Sequence, residues 1–340
     1  MKLNFCTLFN TAYLAKGIAL YESLQQQCAS FHLYIVAFDA KTYQILTELA
    51  YPDATIISLD QLENKELLAV KPGRSVAEYC WTCTPATVRY CIDNYNLDNC
   101  TYLDADLYFY SDPTTLIHDM GESSVLITPH NYHPAYDQSA AAGIYCVQFV
   151  TFKNTVDGNI VLNWWLQACL NWCYARYEDG KMGDQKYLDS WPYMFNGIYI
   201  CRNAEAGLAP WNALNYKYSE HNDNLGVDGN KLVFYHFHDL KYLSDGRWFL
   251  GGYDLPGDVI EKVYKPYLAR LESIDKTIKQ QYPGTDSLNA LDVQQVTALS
   301  SKYKLGIYKM DLKKSARQFF SDVFFASKRK YYQKNYIKID

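Results

Sequence analysis

The segment Tyr102-Leu103-Asp104-Ala105-Asp106-Leu107-Tyr108-Phe109 ends a short apolar run on two carboxylates one residue apart. Side chains two positions apart on a strand point to one face, so Asp104 and Asp106 converge at its end. Two anions placed this way repel each other unless a cation or a basic side chain lies between them. A hard divalent ion with oxygen ligands meets that need. A metal site able to hold a diphosphate is one reading of the segment. A surface turn with a chance Asp-X-Asp is the other.

A second group lies in Phe234-Tyr235-His236-Phe237-His238-Asp239-Leu240-Lys241. His236 and His238 alternate onto one face of a short strand. An imidazole can complete a site begun by two carboxylates, and the Lys241 ammonium could neutralise a phosphate as a point charge. Two structural histidines are the alternative reading.

The elements that must position these residues alternate between strand and helix. Strands are expected over Leu3–Phe9, Phe31–Phe38, Ala54–Leu59 and Cys100–Leu103, with helices over Ala12–Gln27, Lys41–Ala50 and Thr84–Tyr95 between them. In the last helix Thr84 serves as cap and Pro85 lies near the start. Further on, strands are expected over Ser123–Thr128, Ile144–Phe152 and Leu232–Phe237, and helices over Asp157–Tyr177 and Val259–Tyr282. Such alternation predicts an α/β fold with a mainly parallel sheet covered by helices on both faces. Ligands of such sheets bind at the carboxyl ends of the strands, where Asp104 and Asp106 fall.

The chain has 340 residues, 49% hydrophobic and 20% charged, enough for one large domain or two smaller ones. No apolar run is long enough to span a bilayer. The N-terminal stretch reads as a first strand and not as a signal peptide, so a cytoplasmic protein is expected. Of the ten cysteines, the close pairs are Cys80/Cys83 and Cys169/Cys173. No second Cys-X-X-Cys or His pair completes a zinc site, and buried, reduced thiols are expected. The net charge of −5 conceals a basic tail: Lys309–Asp340 carries nine Lys/Arg against three Asp. The remaining body is acidic, which argues against a nucleic-acid partner.

Taken in order, Asp104-Ala105-Asp106, Asp184-Gln185, and His236-Phe237 followed by Lys241 resemble glycosyltransferases of the GT-A fold. The resemblance is closest to the family-8-like hexosyltransferases and related nucleotide-diphospho-sugar transferases of bacterial surface-polysaccharide pathways, over roughly residues 1–250. It implies a GT-A (Rossmann-like) mixed, mainly parallel sheet flanked by helices; with a boundary expected near 265, that domain covers residues 1–265 and a helical extension residues 266–340. It also implies a nucleotide-sugar donor, usually UDP-linked, a Mn²⁺ or Mg²⁺ cofactor and a retaining outcome. Asp104, Asp106 and His236 match the metal ligands, Asp104 also facing the donor. Thr7 and Asn10 match positions that meet base and ribose, and Arg89 a basic donor contact. Ala142-Gly143 matches a small-residue stretch beside the transferred sugar. Asp184 and Gln185 match the pair at the sugar hydroxyls near the reacting carbon. Asp184 also reads as the N-cap of a short helix.

The chain departs from that pattern after the histidine. The family usually continues with Gly and then Lys-Pro-Trp, whereas this chain has His238-Asp239-Leu240-Lys241-Tyr242. Lys241 and His238 are therefore both assigned to the diphosphate. Trp211 is assigned to an acceptor platform, and Trp81, Trp191 and Trp248 are expected in loops beside it. Trp164, Trp165 and Trp172 are expected in the core.

In the tail, Leu312, Ala316, Phe319, Phe320, Val323 and Phe324 share one helical face among basic residues. Such a helix can lie on an anionic membrane or pack on the domain. Membrane contact would hold the enzyme at the inner face of the plasma membrane and suit a lipid-linked glycan acceptor. Two competing functions are a sugar-phosphate nucleotidyltransferase and a non-catalytic glycan- or sugar-nucleotide-binding protein. The nucleotidyltransferase usually carries a Gly-rich loop after the first strand. Here that loop is Asn10-Thr11-Ala12-Tyr13.

Overall fold

The computed structural model describes residues 2–221, 224–292 and 335–339. Its principal strands are β1 (Leu3–Phe9), β2 (Phe31–Ala37), β3 (Ala54–Ser58), β4 (Asn99–Leu103), β5 (Leu107–Phe109), β6 (Val125–Pro129), β7 (Tyr145–Lys153), β8 (Ile198–Ile200), β9 (Ala206–Leu208) and β10 (Phe234–His236). Seven of them form one sheet in the order β3-β2-β1-β4-β7-β6-β8. Strands β3, β2, β1 and β4 run parallel. Strand β7 runs antiparallel to β4 and to β6, and β8 returns parallel to β6. The sheet is thus mixed and mainly parallel, as the alternation predicted.

The longest helices among the described residues cover it: α1 (Leu14–Gln27), α2 (Ala40–Leu49), α3 (Val76–Tyr95), α4 (Val156–Asn171) and α5 (Lys265–Gln281). On one face Phe5 and Phe9 of β1 pack with Leu14 and Ile18 of α1 and with Tyr267, Leu268 and Leu271 of α5. On the other, Cys6 and Leu8 pack with Cys83, Val88 and Ile92 of α3 and with Val161, Leu162 and Trp165 of α4. The period-2 alternation of β1 distributes its side chains between these two cores.

Several boundaries differ from expectation. Helix α3 begins at Val76, eight residues before Thr84, because Ser75 and Glu78 form a reciprocal capping box. Pro85 then lies inside the helix, where it leaves one i−4 carbonyl without its helical donor. Thr84 is therefore a buried mid-helix residue and not a cap. Helix α4 stops at Asn171, where Trp172 turns to extended backbone, instead of reaching Tyr177. The boundary expected at 265/266 falls inside a continuous helical run from Gly257 to Gln281. Its Tyr267, Leu268 and Leu271 belong to the same core as β1. The basic helix expected over Leu312–Phe324 lies outside the described residues.

The tryptophan expectations need correction. Trp191, Trp211 and Trp248 are buried at 0%, 3% and 1% exposure, and Trp81 is half-buried within α3. Aromatic rings of this size add to the core when burial is available, and predicted loop position did not reveal that. All ten cysteines are unpaired, and nine are buried. Among the described residues no helix is long and apolar enough to cross a membrane.

A second, three-stranded sheet fixes the site. Strand β10 pairs antiparallel with β5 and parallel with β9. The turn Asp104-Ala105-Asp106 connects β4 of the large sheet to β5 of the small one, so it is held from both sides.

Candidate functional site

Backbone register brings the acidic pair and the histidine together. His236 lies opposite Leu107 in the β5–β10 pair, and the Phe237 N–H donates to the Asp106 carbonyl at 3.0 Å. From the large sheet, the Asp104 N–H donates to the Gln148 carbonyl at 3.1 Å. His236 Nε2 then stands 3.1 Å from Asp106 Oδ1 and 3.8 Å from Asp104 Oδ2. The opposite ring nitrogen, Nδ1, is 2.8 Å from Gln148 Oε1. With the amide in this orientation Nδ1 carries the proton, and Nε2 is directed at the carboxylates.

The charges are arranged around buried groups. Asp106 is 8% exposed and His236 5%. Burial alone would raise the Asp106 pKa, but His236 and Lys16 hold it well below the usual carboxylate range. Burial alone would lower that of His236, and Asp106, followed by Asp104, raises it instead. Asp104 is pushed up to about 6, first by burial and then by the nearby Asp106 charge, against the pull of His236. This is the behaviour of two carboxylates sharing one small space.

Lys16, on the first helix, supplies a cation that the sequence reading missed. Its Nζ lies 3.8 Å from Asp106 Oδ2 and donates to the Leu240 carbonyl at 3.3 Å. It also sits 4.3 Å from the centre of the Tyr13 ring. Lys16 is only 8% exposed. The signal was present: a single lysine inside the otherwise apolar run Leu14–Leu20.

Asp184 joins the same region through helix α3. Burial followed by the Asp104 charge pushes its pKa up to about 7, against the pull of the Thr84 hydroxyl. Its carbonyl accepts from Trp165 Nε1 at 2.9 Å. The short 3-10 turn that follows covers Lys186–Ser190, and its N-cap is Gln185, which makes no side-chain cap. The N-cap alternative for Asp184 is thereby set aside. Gln185 is half-buried, and its carbonyl accepts from Leu188 N–H at 3.0 Å.

The small-residue stretch is clamped by the same segment. Ala142 ends the helical turn Ser139–Ala142, and Gly143 follows at φ +110°. The Ile144 N–H donates to Asp189 Oδ1 at 2.7 Å, and Lys186 Nζ bridges the Ser139 carbonyl and Asp189 Oδ2, both at 2.8 Å. A Cβ at Gly143 would lie 3.1 Å from Asp189 Oδ1.

Trp211 sits at the centre of an imidazole cluster. Its ring centre is 5.2 Å from those of His130 and His236 and 5.3 Å from that of His238. Its Nε1 donates to the His130 carbonyl at 2.8 Å. His238 is half-buried beside His236, and desolvation followed by the His236 charge lowers its pKa to about 4. It is neutral near pH 7 and can offer a hydrogen bond but no charge. Lys241 bonds to the Asp239 carboxylate and also reaches the Asp239 carbonyl at 3.4 Å.

Thr7 is fully buried in β1, and its hydroxyl has no hydrogen-bond partner among the described residues. Asn10 follows β1 and accepts from Tyr13 N–H through its carbonyl at 2.9 Å. The Thr11 N–H is bound by Asp39 Oδ2 at 2.8 Å, so this loop does not present a free phosphate cradle. Arg89 is not drawn into the cluster. Its guanidinium bonds to Asp93 on its own helix and to Asn159 of α4. Thr84, five residues earlier, is the α3 residue that the structure brings to Asp184.

Two carboxylates and one imidazole make a donor set suited to a divalent ion, and Gln148 orients the imidazole from behind. The residues present therefore fit such an ion.

No family model matches the chain. YfnD, an uncharacterized protein of Bacillus subtilis strain 168, is 28% identical over 289 residues, spanning 82% of this chain and 92% of its own. YfnF of the same organism is 29% identical over 249 residues, spanning 71% of this chain and 82% of its own. Among solved structures, the galactosyltransferase LgtC with donor and acceptor sugar analogues overlays 80% of this chain and 96% of its own, at 13% identity and TM-score 0.49. The glycosyltransferase GlyE of Streptococcus pneumoniae TIGR4 overlays 61% of this chain at 16% identity and TM-score 0.41. This chain spans about half of GlyE, 47%. At these TM-scores and identities the structural likenesses assign no activity.

Proposed function

We propose that the protein is a metal-dependent glycosyltransferase that moves a hexose from a nucleotide-diphosphate sugar, UDP-linked, to a glycan or lipid-linked glycan of a surface polysaccharide. The observation that carries this reading is the convergence of Asp104, Asp106 and His236 at the carboxyl end of β4, with Nε2 at 3.8 and 3.1 Å from the two carboxylates. Ligand sites of open α/β sheets occupy this position. A lone acidic turn would not need a buried histidine held by a buried glutamine.

In this reading Asp104, Asp106 and His236 hold a divalent ion, Mn²⁺ or Mg²⁺. Such an ion, when bound, supplies positive charge to the leaving diphosphate. Lys16 places a second positive charge beside Asp106 in a site sheltered from water, where such charges act strongly. Neutral His238 offers the diphosphate a hydrogen bond, and Lys241 reaches it on leaving Asp239. Thr7 and Asn10, at the end of β1, lie toward the base and ribose. Ala142 and Gly143 leave room for the hexose, whose hydroxyls meet Asp184 and Gln185. Retention follows from the family resemblance, with Asp184 the carboxylate nearest the anomeric carbon. Trp211, buried against His236 and His238, shapes the acceptor side from behind. The basic tail brings the enzyme to the inner face of the plasma membrane.

The test is thermal melting against a panel of nucleotide sugars with Mn²⁺ or with EDTA. A ligand that binds only the folded state raises the melting temperature by mass action. One nucleotide sugar should raise it in the presence of Mn²⁺ and not in EDTA. An equal rise in EDTA would overturn the metal-dependent reading.

A further inference from the structure

We propose that Cys146 is a ligand of the metal centre, giving it a sulfur donor and a preference for borderline and soft divalent ions over Mg²⁺. This rests on the metal-dependent reading above and names a property of the same site. The Cys146 Sγ, a carboxylate oxygen of Asp104 and a ring nitrogen of His236 all lie within 4.8 Å of one another. Metal–sulfur bonds of about 2.3 Å and metal–oxygen or metal–nitrogen bonds of about 2.0–2.2 Å separate two ligands of one ion by up to about 4.5 Å. Small side-chain adjustments bring all three atoms onto one centre.

The placement of Cys146 is built by the fold. It lies on β7, opposite Thr128 of β6, and is 3% exposed. Gln148, two residues on, shares its face of the strand. That glutamine holds His236 through its side chain and Asp104 through its carbonyl. One strand therefore positions two ligands and contributes a third. Asp106, 3.1 Å from His236 Nε2, adds a fourth donor. Two oxygens, one nitrogen and one sulfur favour Zn²⁺, Cd²⁺ and Co²⁺ over the all-oxygen preference of Mg²⁺. Lys16, 3.8 Å from Asp106, offsets the added negative charge of a bound thiolate.

Other cysteines occupy a different setting. Cys6, Cys91 and Cys100 also lie within 4.8 Å of one another, but inside the apolar core between β1, β4 and α3. They serve as the internal control.

The experiment is titration of the purified full chain with Co²⁺ and with Cd²⁺, following sulfur-to-metal charge-transfer absorption in the ultraviolet. Wild type, Cys146→Ser and Cys100→Ser are compared. The proposal expects the band in wild type and Cys100→Ser. Cys146→Ser should bind Co²⁺ without the band and lose Cd²⁺ affinity by at least about tenfold, the loss that even outer-sphere changes produce. Co²⁺ bound by wild type without a sulfur band overturns the proposal and leaves the metal site standing. A band that survives in Cys146→Ser also overturns it, whether or not Cys100→Ser keeps the band. Failure of wild type to bind either ion overturns both the proposal and the metal-dependent reading. Should Cys146→Ser fold poorly, Cys146→Ala is used in its place, and a band that survives in it overturns the proposal.

Discussion

His236 Nδ1 and Gln148 Oε1 face each other at 2.8 Å, both buried, one from the small sheet and one from the middle of β7. This bond fixes the tautomer and the plane of the imidazole, so that Nε2 meets Asp106 and Asp104. Removing the acceptor should free the ring. Gln148→Leu is expected to weaken Mn²⁺ binding by about 10- to 100-fold, as loss of an outer-sphere partner does. Gln148→Glu, which keeps an acceptor, should lose much less. Calorimetric titration with Mn²⁺ checks both, and equal affinity in wild type and Gln148→Leu would refute the role.

The same bond can be disturbed from outside. Gly207 has φ +110°, and a Cβ there would lie 2.9 Å from Gln148 Nε2. Gly207→Ala should therefore mimic Gln148→Leu in metal affinity, with an added loss of stability from backbone strain. Metal titration and thermal melting of the variant separate the two effects.

Lys16 should act on the rate and not on donor capture. Lys16→Met keeps the length and apolar packing of the side chain while removing the charge beside Asp106. Loss of one charge-stabilising group in a buried site costs about 100- to 1,000-fold in kcat. Steady-state kinetics should show that loss with KM little changed. An unaltered kcat would remove Lys16 from the mechanism.

Asp184 makes the stability of the metal-free protein depend on pH. Its pKa is raised to about 7 by burial and by Asp104. A carboxylic acid with a raised folded pKa adds stability below its ordinary pKa and loses it as pH rises through the folded value. In EDTA the melting temperature of wild type relative to Asp184→Asn should therefore fall between about pH 5 and about pH 8. The difference between the two profiles isolates Asp184 from Asp104 and His238, whose shifted pKa values also act over this range. A difference that rises over this range, or does not change, would contradict the assignment.

Much of this arrangement was legible in the residues, and the gaps have physical causes. The strand–helix alternation gave β1 to β4, α1 and α2 to within a few residues, since each has one strongly patterned apolar face. The pairing of Asp104 and Asp106 with His236 needed three elements that lie far apart in sequence, and only their motif order hinted at it. Helix α3 was misread because Pro85 looked like a helix start, whereas Ser75 and Glu78 cap it a full two turns earlier. That error hid Thr84. Lys16, Cys146 and Gln148 were missed because each is a lone polar or sulfur-bearing residue in an apolar run, and periodicity treats such residues as noise. Their burial among charged partners is a property of tertiary contact, which no local pattern reports. Arg89 shows the converse: a basic residue near the motif in sequence is tied to Asp93 and Asn159 in space.

The most direct test of the central claim is turnover of a nucleotide-sugar panel by the purified protein with Mn²⁺ and with EDTA, beside Asp106→Ala. The account predicts hydrolysis or transfer from one donor, abolished by EDTA and by Asp106→Ala. Turnover that persists without metal or without Asp106, or no turnover and no Mn²⁺-dependent stabilisation by any donor, would contradict it.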